Sequence, residues 1–402
     1  MNKRLNGEGT FRQRPNGSWE ARVAYTDDDG TTKRLSFYGK TRAEAKAKLD
    51  EAAKRIEAGD PARDAAFTVS EWCERWLSTT LAASARKPTT KSTFATVLRT
   101  YISGCRIGRI PLSKLRPSHV DAWLVELRTL TKTIEGADGE RVETRRLTES
   151  TIRKAWNCLS VALDGAVRDK ALARNPLKVG EAPVPEHHEA RFLTAEETTA
   201  ILAAAKAMDD APHGRQSAAY PLLAFIAATG VRKGEALALR WDAVDLDAGT
   251  AKIVGTLSRL SGELVITSPK TVKSRRTLTL SPGVARLLRS HRTAQLEARL
   301  AAGSLWQDSG HVFTTVTGRP VDPSTALRSL KAAAAKAGVQ GAAVHTLRHT
   351  AATAMLEAGV PLAAVSMALG HARSSITADV YAHATVGAQE AAMRAAAAAV
   401  GL

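Results

Sequence analysis

Apolar and polar positions alternate with period two in three short runs between residues 9 and 38, which predicts a small three-stranded meander. The first run, Gly9 to Arg14, is followed by Pro15-Asn16-Gly17-Ser18, and an Asn-Gly pair supplies the positive backbone angles that a tight hairpin needs. The second, SWEARVAYT, ends at the acidic turn Asp27-Asp28-Asp29-Gly30, and TTKRLSFYG closes the sheet. The period then changes. Thr41-Arg42-Ala43-Glu44 has capping-box spacing, so a helix should run from about 42 to 57 and stop at Gly59-Asp60-Pro61.

Residues 66–178 carry helical periodicity. A second capping box, Thr68-Val69-Ser70-Glu71, opens a helix whose Trp72, Trp76 and Leu77 read as core rather than as a ligand box. A second helix begins at Pro88, with Phe94, Val97, Leu98 and Tyr101 on one stripe. A third starts at Pro117-Ser118 and runs to about Leu130. A fourth should span about Thr148 to Ala173, stopped by Asn175-Pro176. Between the last two, the polar stretch 131–147 reads as a flexible loop or hairpin of unassigned role. The prolines of EAPVPEHHEA, residues 181–190, mark a linker. Thr194-Ala195-Glu196-Glu197 opens a last region of helices, interrupted by strand-like TAKIVGT, ELVITS and RRTLTL. The Ala-rich stretch from about Gly387 to Ala399 reads as a helix that could dock elsewhere. The expected fold class is mainly α with small β-sheets (α+β), in three regions: 1–60, 66–178 and 186–402.

Composition narrows the setting. The chain has 402 residues, enough for two or three domains, and 44% of them are hydrophobic. It has no apolar run of membrane-spanning length, and MNKRLNGEGTFRQR is unlike a secretory signal. Cys73, Cys105 and Cys158 are odd in number and widely spaced, so neither a disulfide framework nor a CxxC metal site is expected. The plain expectation is a cytoplasmic protein with reduced thiols.

Charge narrows the partner. The net charge is +17, and residues 61–180 alone hold 21 basic against 12 acidic side chains. Such a surface binds polyanions by displacing counterions, so nucleic acid leads. An acidic membrane would satisfy the same charge, but no basic amphipathic anchor or lipidation motif supports it. Arg12, Arg14, Arg22, Lys33 and Arg34 lie on the predicted sheet and are candidates for DNA contact, against the plainer reading of a solvated basic face.

The sequence offers no obvious carboxylate cluster for two metal ions and no GxxxxGK[ST] phosphate loop. It offers arginines, lysine and histidines followed by a tyrosine. Ala-Thr-Gly-Val-Arg232-Lys-Gly-Glu235 follows an apolar helix and places Arg232 near a new helix N-terminus, a natural anion site. Its planar fork suits two phosphate oxygens, and Glu235, one turn on, could hold it. Ser268-Pro-Lys270-Thr-Val-Lys-Ser-Arg-Arg276 reads as a basic hairpin whose Lys270 could donate a proton to a leaving oxygen. His345-Thr-Leu-Arg348-His349 opens a helix, with His345 and Arg348 one turn apart. Ala-Leu-Gly370-His371 closes a short helix, and Val380-Tyr381-Ala-His383 follows ten residues later. Each element alone is more often structural: an Arg–Glu surface pair, a basic hairpin, a packed histidine.

In this order and spacing the elements resemble the tyrosine recombinase (phage integrase) family. The matching stretches are TGVRKGEALALRW, PKTVKSRRTLTL, HTLRHT, LGH and VYAH, which cover 186–402 well. The helix ending ARNP resembles the end of the family's core-binding domain, and residues 1–60 resemble the small arm-binding domain of some phage integrases. Thr346 departs from the family, which often has an acidic residue there.

The resemblance implies a catalytic domain of the DNA breaking–rejoining type that integrates or excises a phage or mobile element. Tyr381 would be the nucleophile forming a 3′-phosphotyrosyl link. Arg232 and Arg348 would stabilise the phosphate, Lys270 would protonate the leaving 5′-oxygen, and His345 would assist proton transfer. His371 would hydrogen-bond the phosphate and Glu235 would orient its neighbours. No metal, ATP or other cofactor is implied. The partners implied are double-stranded DNA attachment sites, a homotetramer on DNA, and an excisionase or host DNA-bending protein. A type IB topoisomerase and a chromosomal dimer-resolving recombinase share the pocket, and a DNA-binding regulator with a decayed site is the non-enzyme alternative.

Overall fold

The computed structural model describes residues 5–26, 32–57, 67–135, 141–186, 191–211, 218–260, 262–267, 275–370, 393–394 and 397–398. The chain divides into two compact units, residues 1–187 and 188–402.

The first unit opens with strands β1 (Leu5–Gln13), β2 (Trp19–Thr26) and β3 (Thr32–Gly39), antiparallel in the order β1-β2-β3, followed by α1 (Arg42–Glu57). Gly17 takes the positive φ of 81° that its turn requires. Alternation along the strands sorts the side chains onto two faces. Ala21, Val23 and Leu35 pack with Ala45 and Leu49 of α1, backed by Trp19 and Phe37. The opposite face carries Arg12, Glu20 and Arg22, for the register pairs Arg12 with Glu20 and Arg22 with Ser36.

Four helices build the second core of this unit: α2 (Val69–Trp76), α3 (Pro88–Leu98), α4 (Pro117–Thr129) and α5 (Glu149–Arg168). The capping box at Thr68 forms, and Trp72 and Trp76 are buried in the core. Two indole N–H groups of this core donate to carbonyls from elsewhere in the fold, Trp72 to Ala162 O and Trp123 to Tyr101 O, each at 2.8 Å, whereas the buried Trp76 Nε1 has no hydrogen-bond partner among the described residues. Burying a side chain such as Trp123 or Leu159 contributes roughly 1.5–3 kcal/mol.

One expectation changes here. The fourth helix ends at Arg168 rather than near Ala173, because Lys170 turns into the left-handed region with φ 53°. Asn175 instead caps a following 3₁₀ turn, its side chain accepting from the Leu177 N–H. The stretch after α4 takes the hairpin form, one of the two expected for it, with β4 (Thr131–Glu135) paired with β5 (Arg141–Arg145).

The second unit contains α6 (Ala195–Asp210), α7 (Ala219–Thr229), α8 (Lys233–Leu237), α9 (Pro282–Ala302), α10 (Pro323–Lys336), α11 (Val344–Glu357) and α12 (Leu362–Leu369). Between α8 and α9 lie β6 (Val244–Asp245), β7 (Thr250–Ile253), β8 (Thr256–Leu260), β9 (Glu263–Thr267) and β10 (Arg276–Thr279). Helix α7 is buried through Leu222, Leu223, Phe225 and Ile226, and Phe225 meets Phe313 with ring centroids 5.6 Å apart.

The strands on either side of Lys270 do not form the expected hairpin. β9 pairs with β8, whereas β10 pairs with β7 in a separate sheet ordered β10-β7-β6. Lys270 lies outside the described residues, as do the rest of residues 268–274. So does nearly all of the expected helix at 387–399. No helix among the described residues is long and apolar enough to cross a membrane.

Candidate active site

Helix α7 ends at Gly230, which adopts φ 64° and reverses the chain into Val231 and Arg232. A Cβ there would come within 2.6 Å of the Leu369 side chain, so the turn needs glycine on both conformational and steric grounds. Arg232 occupies the N-cap position of α8. That helix has only five residues, so the helix-end field expected at Arg232 is weak, and charge at this site comes from side chains.

Arg232 donates from Nη1 to Glu235 Oε1 at 2.8 Å and from Nη2 to the Gly370 carbonyl at 3.0 Å. Glu235 is only 2% exposed and also accepts from Arg276 Nη2 at 3.0 Å. Burial pushes its carboxyl up, but the hydrogen bond and charge of Arg276, then Arg232, outweigh this and hold it below the ordinary carboxylate range.

Arg348 comes from the second turn of α11 and is buried. It donates to the Gly230 carbonyl at 2.7 Å and to the Leu369 carbonyl at 2.8 Å. His345, one turn earlier, is exposed at the surface. Crowding by neighbouring protein lowers its imidazole below the usual 6.5, and the charges of Arg348, Lys233 and Arg232 lower it further. His349 is shifted the same way by burial, then by His345 and Arg348.

The structure thus brings Arg232, Glu235, His345 and Arg348 together. Lys270, His371 and Tyr381 lie outside the described residues. Two neighbours were not singled out from sequence. Lys233 donates to the Pro323 carbonyl at 3.1 Å, and burial lowers its pKa against the opposing charge of Asp322. In the sequence Arg276 reads only as the end of a basic run, yet its side chain is 9% exposed and ties β10 to α8. The alternation of β10 held the clue: Arg276 shares a face with the inward Leu278, and an arginine facing a core must have partners.

A mostly neutral imidazole among fixed guanidiniums can move a proton beside a bound phosphate, while the guanidiniums complement negative charge on its oxygens. Among the described residues, no group of three or more His, Cys, Asp or Glu could hold a metal ion.

The candidates on the N-terminal sheet form a separate group in the first unit. Glu20 accepts from Arg12 Nε and from Arg22 Nε, both at 2.7 Å, and from the Tyr38 hydroxyl at 3.2 Å. The bonds from Arg22, which contributes most, and from Arg12 hold its carboxyl down to about 2. Arg14 stands over the Tyr38 ring at 5.1 Å, and Arg34 is exposed on β3. Lys33 lies in β3 opposite Tyr25.

Comparison with known proteins decides the family. The model of the Phage integrase family matches residues 191–387. A XerC-like tyrosine recombinase of Caldanaerobacter subterraneus subsp. tengcongensis is 30% identical over 383 residues, spanning 92% of this chain and 93% of that protein. The chain belongs to the tyrosine recombinase (phage integrase) family.

The recombinase is also 29% identical over 356 residues to an integrase of Streptomyces ambofaciens, covering 85% and 83% of the two chains. Among solved structures it resembles the Tn1549 transposon integrase in complex with transposon right end DNA. That match has TM-score 0.62 at 18% identity, over 80% of this chain and 98% of that one. A lambda integrase tetramer bound to a Holliday junction matches with TM-score 0.55 at 17% identity, over 92% and 94%. These likenesses establish the fold: helical, with small antiparallel sheets, as expected. The recombinase is an enzyme of site-specific DNA recombination, which sets aside the topoisomerase and decayed-regulator readings.

Proposed function

We propose that the recombinase is an integrase of a phage or mobile element acting on double-stranded DNA attachment sites through Tyr381. The Tyr381 hydroxyl attacks the scissile phosphorus. The new O–P bond forms as the bond to the 5′-oxygen breaks, His345 assists removal of the phenolic proton, and Lys270 protonates the departing oxygen. Arg232 and Arg348 stabilise the negative charge on the non-bridging oxygens, where most of the rate gain should arise. His371 hydrogen-bonds the same phosphate, and Glu235 holds Arg232. A 5′-hydroxyl from a partner duplex then attacks the phosphotyrosyl link and releases Tyr381. The link conserves the phosphodiester bond energy, so the scheme calls for no ATP or metal.

The supporting observation is that Arg232 and Arg348, from different helices, both bond to the end of α12, immediately before His371. Residues 1–60 are proposed as the arm-type DNA-binding domain, contacting DNA through Arg12, Arg14, Arg22, Lys33 and Arg34. Residues 66–178 would grip the core site and 186–402 would carry the chemistry. Exchange between two duplexes calls for a homotetramer, a reading supported by the lambda integrase tetramer on a Holliday junction. An excisionase or host DNA-bending protein would set direction, and the work would lie in a bacterial cytoplasm or nucleoid, a reading supported by the bacterial and phage relatives.

The test is covalent trapping. A site recovered from random-sequence DNA by the Tyr381→Phe protein is built into a nicked suicide duplex. The wild-type chain should form a DNA–protein adduct and Tyr381→Phe should form none. An adduct that survives that substitution removes Tyr381 as the nucleophile.

A further inference from the structure

Helix α12 ends at Gly370, and the last carbonyls of a helix have no partner within it. Three arginines from three separate segments take consecutive carbonyls at this end. Arg276 of β10 donates from Nε to Ala368 at 2.8 Å, Arg348 of α11 from Nη2 to Leu369 at 2.8 Å, and Arg232 beside α8 from Nη2 to Gly370 at 3.0 Å. The negative end of the helix dipole favours cations at this end.

We infer that the α12 terminus is a clamp that positions the phosphate-binding arginines, and that Arg276 is its positioning residue. Arg276 bonds the Ala368 carbonyl of α12 through Nε and Glu235 Oε2 through Nη2, and Glu235 in turn holds Arg232. One guanidinium thus sets the distance between α12, which Arg348 also grips, and the carboxylate that orients Arg232. Lysine cannot reproduce this, because an ammonium is a point charge without a planar fork. The approach is tight: a Cβ on Gly370 would lie 2.7 Å from Arg276 Nη1, and Gly370 has φ 67°. Arg276 is nearly covered by protein and is assigned no contact with DNA; its effect passes through Arg232 and Arg348.

This inference rests on the proposed roles of Arg232 and Arg348, so the test carries its own control. Single-turnover adduct formation is measured for the full-length wild type, Arg276→Lys and Arg348→Ala on the nicked suicide duplex. A second duplex carries a methylphosphonate at the scissile position, which removes one anionic oxygen. Arg276→Lys should slow the ordinary duplex by about tenfold to a hundredfold, with DNA affinity within about threefold of wild type. On the methylphosphonate the deficit should shrink, since the site then has less charge to complement.

Gly370→Ala pushes on Arg276 from the other side and should give the same pattern, which covers the case in which Arg276→Lys folds poorly. If Arg348→Ala keeps the wild-type rate, the reading of the site falls and the clamp falls with it. If Arg348→Ala is inactive while Arg276→Lys keeps full rate, the clamp alone is overturned. It is overturned equally if rate, affinity and melting temperature drop in step and the methylphosphonate leaves the deficit unchanged.

Discussion

The recombinase contains two clusters in which a covered glutamate joins two arginines, one in each unit. In the first, Glu20 is 1% exposed, while Arg12 and Arg22 remain 60% and 47% exposed. In the second, Glu235 is 2% exposed, and its arginines, Arg232 and Arg276, are 35% and 9% exposed. The sheet cluster spends Nε of each arginine on the carboxylate, an arrangement that suits presenting the outer edges to a partner. In the cluster of the second unit the guanidiniums also bond backbone carbonyls of α12, which locks them to the fold. The same residue types thus leave guanidiniums open to solvent in one place and fix them to the backbone in the other. What differs is the depth of the arginines and the presence of a helix end to receive them.

The largest expected difference is in stability. Glu235→Gln removes a buried counter-charge shared by Arg276 and Arg232 and should cost roughly 3–5 kcal/mol in urea unfolding. Glu20→Gln should shift unfolding far less, because Arg12 and Arg22 can turn to water. Equal losses from the two substitutions would break the comparison.

Acid should separate the clusters next. His345 and His349 are held below 6.5 in the folded state, so the stability they contribute is present above that value and is lost as pH falls through their lowered values. Adduct formation and the melting temperature of the 188–402 unit should therefore decline together between about pH 7 and pH 5. Glu20 stays ionised throughout this range, since its carboxyl titrates near 2, and the sheet's ion pairs should persist. An adduct rate that is flat across that range would remove His345 from the proton transfer.

The smallest effect sharpens the division of labour. Arg22→Ala should lower affinity across DNA sequences and reduce the salt slope of binding by about one unit, if Arg22 meets a phosphate. At saturating DNA its single-turnover cleavage rate should match wild type. A reduced rate at saturation would mean that the sheet takes part in the chemical step.

Local rules made much of this protein legible. The capping boxes at Thr68 and Thr194 form, because such a box needs only residues three apart. Trp72 and Trp76 lie in a core because a 3.6-residue period shows which face is buried. The Arg232–Glu235 ion pair was readable for the same reason: one helical turn separates the two residues. Pairings between distant segments were not readable. ELVITS and RRTLTL look like two arms of one hairpin, yet β9 turns back onto β8 and β10 joins β7. Either pairing satisfies the same alternation, and only packing chooses between them. The end of α5 was misjudged because Asn175-Pro176 is an evident stop, whereas the left-handed turn at Lys170 carries no comparable signal.

By itself, then, the sequence determined the order of the chemistry-bearing residues, the helices that carry Arg348 and Gly370, and the basic surface that points to DNA. It did so because periodicity, caps and charge are properties of neighbours along the chain. Tertiary structure alone decided that Arg276 would be nearly buried and that Arg232, Arg276 and Arg348 would meet one helix end. Helix geometry sets the direction of the last α12 carbonyls, while the packing of α8, β10 and α11 delivers the guanidiniums to them, and no local rule encodes that meeting.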